Sequence, residues 1–370
     1  PPLRGVLHLW ALAKGEQTAA PALATAMADL MQRQEQLLSS VLQVVQTLAG
    51  NGAGARLWVV TQGAQQVVAT EAVAVDQTPL WGMGRVIALE HGELWGGLID
   101  LDGGHDTATQ APSLLAEILQ LTSDGEEQVA YRQGERYGAR LAPAQLAPAA
   151  TAPLIHSEGS YLITGGLGSL GLQTAQWLVK AGARHLILTG RRGVPNKKQQ
   201  ALLNALKAAG AAIQIAPLDV ADVNGMVQLF ADLAAAAQPL RGVFHEAGVA
   251  SYKALRSLQW ADFESMLRPK VIGGWLLHAL TAKLDLDFFI AYSSGAGIWG
   301  GKQQAHYGAA NHFLDGLMAY RRRQGLPGLS IAWGPWAGGG MATPEAQAML
   351  QAMGVRALAP EQGLAIQAHL

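Results

Sequence analysis

One stretch limits the folds open to this chain more than any other: Tyr161-Leu162-Ile163-Thr164-Gly165-Gly166-Leu167-Gly168-Ser169-Leu170-Gly171. A β-prone run leads straight into Gly166-x-Gly168-x-x-Gly171. A helical pattern follows, with Leu172, Ala175, Leu178 and Val179 on one face, and stops at Ala181-Gly182. Alone, that glycine spacing is weak evidence. Between a strand and a helix it has a physical use, because the glycines allow a tight turn and close approach of a pyrophosphate. Unpaired N–H groups at the helix start then hold the phosphates. The sequence therefore predicts a strand–turn–helix dinucleotide site made by Thr164, Gly165, Gly166, Gly168, Ser169, Leu170 and Gly171.

Short apolar runs and helical patterns alternate on both sides of this site, which predicts an α/β chain with a mainly parallel sheet. Strands are expected at 57–61 and 97–101, helices near 80–89 and 113–121, and a hairpin at 128–132 and 135–141 turning at Gln133-Gly134. From Ala142 to Pro153 the composition turns to Ala and Pro without periodicity, the mark of an extended linker. Residues 142–157 thus connect an N-terminal part, 1–141, to a second part, 158–370. The first part resembles a nucleotide-binding fold in outline. Its glycine-rich stretch, Gly50-Asn51-Gly52-Ala53-Gly54, precedes a strand instead of following one, so it reads as a loop and the first part as structural.

Composition removes several classes of function. Hydrophobic residues make up 50% and charged residues 14%, so the chain is not a charge-rich disordered one. With 26 Lys and Arg against 27 Asp and Glu there is no electrostatic footprint for nucleic acid or an anionic membrane. No apolar run is long enough to span a bilayer. The lack of cysteine rules out disulfides, thiolate metal sites and a thiol nucleophile, and no metal is expected. The chain opens on Pro1-Pro2 without a signal-peptide pattern, as a segment of a longer polypeptide would.

The strand expected at 185–189 ends in Gly190-Arg191-Arg192-Gly193. An NAD site places a carboxylate here for the ribose 2′-hydroxyl. Two guanidinium groups instead suit a 2′-phosphate through charge-assisted hydrogen bonds, which favours NADPH, with Arg191 the first choice over Arg192. Further on, 213–217 followed by Asp219 and Val220 reads as a strand ending beside the adenine. Val243-Phe244-His245-Glu246-Ala247-Gly248 reads as another strand end lining the cleft.

Residues 288–295 form a strand that ends in Ser293 and Ser294. Thirteen residues after Ser294 comes Tyr307, at the start of a helical pattern that Gly325 and Pro327 stop. Asn311, four residues on, shares its face. Lys270 precedes a further helical run. Reduction of a carbonyl needs an acid for the alkoxide and a donor to polarise the oxygen. A free Tyr has a pKa near ~10, and a nearby ammonium favours the phenolate and lowers it. A Ser hydroxyl can donate to the oxygen where charge develops. Lys270, Ser294, Tyr307 and Asn311 supply these parts.

These residues resemble the short-chain dehydrogenase/reductase superfamily, and more closely the ketoreductase domain of modular type I polyketide synthases. Ordinary members carry Tyr-x-x-x-Lys on one helix. Here the fourth position after Tyr307 is Asn311 and the lysine lies 37 residues upstream at Lys270, the exchange typical of these ketoreductases. The motifs Pro79-Leu-Trp-Gly-Met-Gly-Arg85, Leu267-Arg-Pro-Lys-Val271 and Trp333-Gly-Pro-Trp336 also match. The resemblance implies two Rossmann-like subdomains, a truncated structural one followed by a catalytic NADPH-binding one. It implies a cytoplasmic enzyme whose partners are an acyl carrier protein bearing a β-ketoacyl phosphopantetheine and neighbouring synthase domains. By the same resemblance Tyr307 is the proton donor, Lys270 tunes it, Ser294 polarises the carbonyl, and Asn311 orients Lys270 or a relay water.

The resemblance further implies an A-type enzyme giving an L-hydroxyl. The Leu-Asp-Asp motif of B-type members is missing from residues 249–255, and Trp299 stands eight residues before Tyr307. Gln304, three before Tyr307, replaces the His of the subclass that acts on an epimerised substituent. Met341, in the small-residue segment after Trp336, is expected to touch substrate as part of a mobile lid. Glu246 departs from the Ala usual in His-Ala-Ala-Gly and is expected to face solvent. Two other readings remain open: a nucleotide-binding structural module without turnover, and a stand-alone sugar-nucleotide epimerase or reductase.

Overall fold

The structure is a computed structural model and describes residues 3–13, 22–52, 54–119, 125–143, 155–337, 348, 350–352 and 354–369. The residues gather into two compact units. One comprises Pro1–Ala142, Ser251–Leu267 and Ser293–Leu326, the other Pro143–Ala250, Arg268–Tyr292 and Pro327–Leu370. One boundary falls between Ala142 and Pro143, but the units do not follow chain order throughout, since two later segments join the first.

The first unit is built on five strands: β1 (Gly5–His8), β2 (Arg56–Gln62), β3 (Trp95–Leu101), β4 (Gln128–Arg132) and β5 (Glu135–Gly138), side by side in that order. The first four pair in parallel and β5 closes antiparallel on β4. Gln133 and Gly134 both adopt positive φ (52° and 83°). A two-residue hairpin turn of this kind matches the twist of the flanking strands. Alternate residues Trp58 and Val60, Ile99 and Leu101, Val129 and Tyr131 share one buried face, as a period of two requires.

Helix α1 (Leu23–Asn51), which the pattern reading leaves unassigned, is 29 residues long. It buries Leu37, Leu38, Val41, Leu42, Val45 and Leu48 at helical spacing and stops at Gly52, whose φ of 58° closes the C-terminus. Helix α2 (Thr78–Glu90) is buried along most of its length, and α3 (Thr107–Leu119) starts earlier than the pattern suggests, holding Pro112 inside.

The second unit holds six strands: β6 (Ser160–Thr164), β7 (His185–Thr189), β8 (Ala212–Ala216), β9 (Leu240–His245), β10 (Phe288–Ser294) and β11 (Leu329–Trp333). Their order across the sheet is β11-β10-β9-β6-β7-β8. The pairs β6–β7, β7–β8, β6–β9 and β9–β10 are all parallel. Chain order reverses direction between β6 and β9, and a ligand crevice opens at the carboxyl ends of strands at such a switch point. Helices α4 (Ser169–Lys180), α5 (Lys197–Ala208) and α6 (Val223–Ala235) make the crossovers. Asn196 and Gln199 form a reciprocal capping box at the start of α5, and Asp222 caps α6. The core runs from Ile163, Leu188, Phe244 and Ile290 to Trp333 and Trp336. Together the two sheets give an α/β fold of two Rossmann-like subdomains.

Four later helices complete the frame: α7 (Trp260–Leu267), α8 (Gly273–Thr281), the short α9 (Gly295–Ile298) and α10 (Ala305–Arg323). A last helix, α11 (Pro360–His369), ends the described chain. Helix α10 belongs to the first unit because it packs on α2 at a glycine-to-glycine contact. A Cβ on Gly82 would lie 2.2 Å from the Gly308 carbonyl oxygen.

Candidate active site

Between β6 and α4 the chain makes the turn that the glycines predict. Gly165 has a φ of 70°, and a Cβ there would meet the Ala247 backbone at 3.1 Å. At Gly166 a Cβ would come within 2.8 Å of Leu188 and 2.9 Å of the Ile163 carbonyl; at Gly168, 2.9 Å from the Gly165 carbonyl; at Gly171, 2.7 Å from the same oxygen. Side chains at these positions would therefore fill the turn. The turn is pinned from both neighbouring strands. Gly166 N–H donates to Thr189 O (3.0 Å), and Thr164 Oγ1 lies 2.8 Å from His245 Nδ1 and accepts from Ala247 N–H at 3.2 Å.

Gly168 begins α4 without a side-chain cap, so the N–H groups of Ser169 and Leu170 meet no capping side chain there, the condition under which a helix start can take an anion. Gly248 follows Ala247 on the β9 side of the turn. Arg191 and Arg192 are exposed in the turn after β7. Asp219 Oδ1 accepts from Ala221 N–H at 3.0 Å and shapes the turn after β8, while Val220 is buried against Gly273. Glycines that leave no room for Cβ atoms, and a helix start without a capping side chain, fit a dinucleotide.

His245, the last residue of β9, lies behind this turn, its Nδ1 beside Thr164 Oγ1. It is fully buried, and burial, helped by the Lys270 ammonium, pushes its pKa down to about 3. The neutral ring stands beside the carbonyls of Pro269 and Lys270. Lys270 lies in a five-residue π-helical turn, Arg268–Ile272. Pro269 has no N–H to donate to a regular helix, and wide turns of this kind recur at functional sites. The Lys270 ammonium is buried and donates to the Tyr292 carbonyl at 2.8 Å.

Within the first unit the structure brings Ser294, Tyr307 and Asn311 together. Ser294 ends β10, and its Oγ accepts from Ala296 N–H (3.2 Å) to start α9. Tyr307 sits in the first turn of α10, where the side chains of Ser294 and Asn311 stand beside its phenol. Burial pushes the phenol above its ordinary pKa, and these two neighbours pull it back down. Asn311 Nδ2 donates to the Tyr307 carbonyl (2.7 Å), and its carbonyl oxygen accepts from Ser293 Oγ at 3.2 Å. Trp299 is 57% exposed and covers Gly295: a Cβ on that glycine would lie 2.3 Å from the ring. The Gln304 side chain packs on Gly301 at the start of α10. Met341 lies outside the described residues.

Arg85 of α2 supports this corner and was not anticipated beyond its motif. Its guanidinium is buried, donates to the Gly297 carbonyl in α9, stands 3.2 Å from His312 Nδ1, and donates from Nε to Gln128 Oε1 at 2.9 Å. Burial lowers its pKa to about 10, still far above neutrality.

Glu246 corrects an expectation. It does not face solvent: it is 8% exposed, and its carboxyl points into the second unit beside the hydroxyls of Thr174 and Tyr292. Its burial is set by Thr174 of α4 and Tyr292 of β10, which lie far from it in sequence.

Residues 159–338 match the family model for the KR domain, and residues 5–141 match the Rossmann fold domain of polyketide synthase extender module SpnB. An erythronolide synthase of Saccharopolyspora erythraea is 41% identical over 324 residues, which are 87% of this chain and 10% of that protein. Thus the chain spans about a tenth of that relative. A solved A1-type ketoreductase is 33% identical with a TM-score of 0.84, over 100% of this chain and 86% of the other. A C2-type ketoreductase from a modular polyketide synthase is comparably similar, at 31% identity and a TM-score of 0.83 over 99% and 76%. With both halves of the chain matched in order and the glycine turn and Ser–Tyr–Asn cluster in place, the chain belongs to the ketoreductase domains of modular polyketide synthases.

Proposed function

We propose that this domain reduces a β-ketoacyl thioester, carried on the phosphopantetheine of an acyl carrier protein, to the L-β-hydroxyacyl thioester with NADPH. The observation that carries the reading is the meeting of Ser294, Tyr307 and Asn311 where β10 ends and α10 begins. The turn 165–171, with Asp219, Val220, Ala247 and Gly248, would hold the dinucleotide, and Arg191 and Arg192 its 2′-phosphate. When bound, NADPH supplies the hydride.

Ser294 Oγ–H donates to the substrate carbonyl oxygen and holds it as negative charge develops. Tyr307 gives its phenolic proton to that oxygen. Burial opposes the phenolate left behind, so the reaction needs a cation to stabilise it, and the family resemblance assigns that part to Lys270. Asn311 Oδ1, buried without a hydrogen-bond partner, is an acceptor for a relay water or the lysine. In this reading residues 1–141 are the non-catalytic subdomain, 142–157 the linker, and 158–370 the catalytic subdomain. Neighbouring synthase domains are its other partners.

Trp299 beside Ser294, and the missing Leu-Asp-Asp motif in 249–255, support the L configuration, with Gln304 and Met341 as further substrate-side positions. NADPH oxidation with a short β-ketoacyl thioester, followed by chiral chromatography, tests the proposal. The expected product is the L-hydroxyacyl thioester. A D product would keep the reductase and sink the role given to Trp299. Tight NADPH binding with no turnover of a carrier-bound substrate would favour a nucleotide-binding structural module.

A further inference from the structure

We propose that Glu90 is a positioning residue for the substrate side of the site. Its carboxylate joins the two loops that border Tyr307, residues 251–255 and 299–304, and so fixes which face of the substrate carbonyl is presented for reduction. The inference rests on the reductase reading given above.

Every group involved lies in the first unit. Glu90 is the last residue of α2. Its Oε2 accepts from the Leu255 N–H at 3.0 Å, and its Oε1 accepts from the Gln303 N–H at 2.5 Å. The Gln303 carbonyl accepts in turn from the Lys253 N–H at 2.8 Å. One carboxylate and one backbone bond therefore close the two loops into a ring. Gln303 has a φ of 64°, a left-handed conformation that a residue with a Cβ holds only at a cost. Its loop also lies hard against α2: a Cβ on Gly300 would come within 2.8 Å of Leu89 Cδ1 and 3.0 Å of the Arg85 carbonyl oxygen.

Both loops reach the chemistry. Trp299, at one end of 299–304, covers Gly295 next to Ser294, and Gln304, at the other end, is the residue from which α10 starts. In 251–255, Tyr252 stands near enough for its phenol to act on that of Tyr307, and Ser251 Oγ lies 2.6 Å from His306 Nε2.

The two loops are not held alike. The 251–255 loop has further supports. Gln46 of α1 donates to the Leu255 and Leu258 carbonyls at 2.9 and 3.0 Å, and the Lys253 ammonium donates to Asp262 Oδ2 at 2.6 Å. By contrast, among the described residues Glu90 is the one side chain from outside 299–304 that hydrogen-bonds the backbone of that loop. A carboxylate accepting from backbone N–H groups makes charge-assisted bonds, stronger than neutral ones. Glu90 thus ties the less supported loop to the better supported one, with the strained Gln303 at the joint.

Glu90→Gln keeps the size of the side chain, but its amide nitrogen can only donate, so one of the two N–H groups loses its acceptor. Product handedness is the deciding measurement: partial unfolding lowers the amount of product without changing its enantiomer ratio, whereas a loosened loop changes both. Wild type, Glu90→Gln and Gln46→Leu are compared as the full chain with NADPH and a short β-ketoacyl thioester. Chiral chromatography gives the enantiomer ratio, and kcat is referred to the concentration of NADPH-binding sites. In Glu90→Gln the share of the minor enantiomer should rise about tenfold, the scale of one lost charge-assisted bond. Its kcat per site should fall about tenfold, with the NADPH Kd within about twofold of wild type. Gln46→Leu loses the two donors to residues 255 and 258 but leaves 299–304 untouched, and should keep the wild-type ratio.

A wild-type enantiomer ratio in Glu90→Gln overturns the proposal, even where kcat falls. An equal shift in Gln46→Leu overturns it as well, because the link to Gln303 would then carry nothing of its own. Tyr307→Phe, made alongside, separates the two readings. If it turns over like the wild type, the reductase reading fails. If it is inactive while Glu90→Gln keeps the wild-type ratio, the Glu90 proposal alone fails.

Discussion

At the scale of single residues, the cofactor turn depends on atoms that are not there. The nearest approaches to an added Cβ at Gly166, Gly168 and Gly171 are all to backbone or to a rigid strand residue, at 2.7 to 2.9 Å. Neighbours of that kind cannot swing aside. Gly171→Ala is therefore expected to weaken NADPH binding at least about tenfold, equivalent to about 1.4 kcal/mol, and to cost about 1–3 kcal/mol of stability as the turn shifts. Fluorescence titration of NADPH reads this directly, and an unchanged Kd would show that the first turn of α4 does not approach the phosphates. Arg191→Ala separates the two nicotinamide cofactors instead. A charge-assisted bond to the 2′-phosphate is worth about 1.5–3 kcal/mol, so affinity for NADPH should fall about ten- to a hundredfold with little change for NADH. Equal losses for both would remove the 2′-phosphate from the account of this residue.

Secondary-structure elements differ in how far their neighbours can be read from the chain itself. The β6–turn–α4 unit is legible in the sequence because all of its constraints are local: strand, glycines and helix follow one another. The hairpin at Gln133-Gly134 is legible for the same reason. Helix α1 carries apolar residues at helical spacing, yet nothing local says which sheet they cover, and it escaped the reading. Glu246 escaped it too, since its burial is set by α4 and β10, which lie far away in sequence. The π-helical turn around Lys270 has only Pro269 as a local sign.

The packing of α10 on α2 was equally hidden. Gly82 and Gly308 read as ordinary helix glycines until the two helices are seen in contact. Gly82→Ala would push α10 away from α2 and shift Tyr307, the neighbour of Gly308. The expected cost is about 1–3 kcal/mol of stability, together with a fall in kcat and little change in NADPH affinity. Urea unfolding and steady-state kinetics check it, and a variant as stable and active as wild type would mean that α10 is not held at this crossing.

For the molecule as a whole, Ser294, Tyr307 and Asn311, three of the residues proposed for the chemistry, share a compact unit with the N-terminal part, while Lys270 belongs to the other. The helix bearing Tyr307 and Asn311 packs on α2 of the N-terminal part, and Arg85 of α2 holds the Gly297 carbonyl next to the serine-bearing strand end. In the proposed function, the N-terminal part would serve the chemistry by fixing α9 and α10 through Arg85 and Gly82. Its own integrity rests in part on the buried ion pair between Asp100 and Arg132 (2.7 Å), in which Asp100 also accepts from Thr61 Oγ1 at 2.6 Å and Ala64 N–H at 2.8 Å. Asp100→Ala leaves a buried guanidinium without that partner, at an expected cost of about 3–5 kcal/mol. Denaturant unfolding measures it. A loss under about 1 kcal/mol would show that the pair is dispensable, as screened surface pairs are.

The central claim is that Tyr307 delivers the proton in a carbonyl reduction. Tyr307→Phe removes one oxygen from the cluster with Ser294 and Asn311 and leaves the cofactor turn untouched. Turnover of a β-ketoacyl thioester by this variant, with NADPH affinity measured on the same preparation, is the most direct test. The account predicts that kcat falls by about 10²–10⁴-fold while the NADPH Kd stays within about twofold of wild type. Turnover at the wild-type rate with cofactor bound would contradict it.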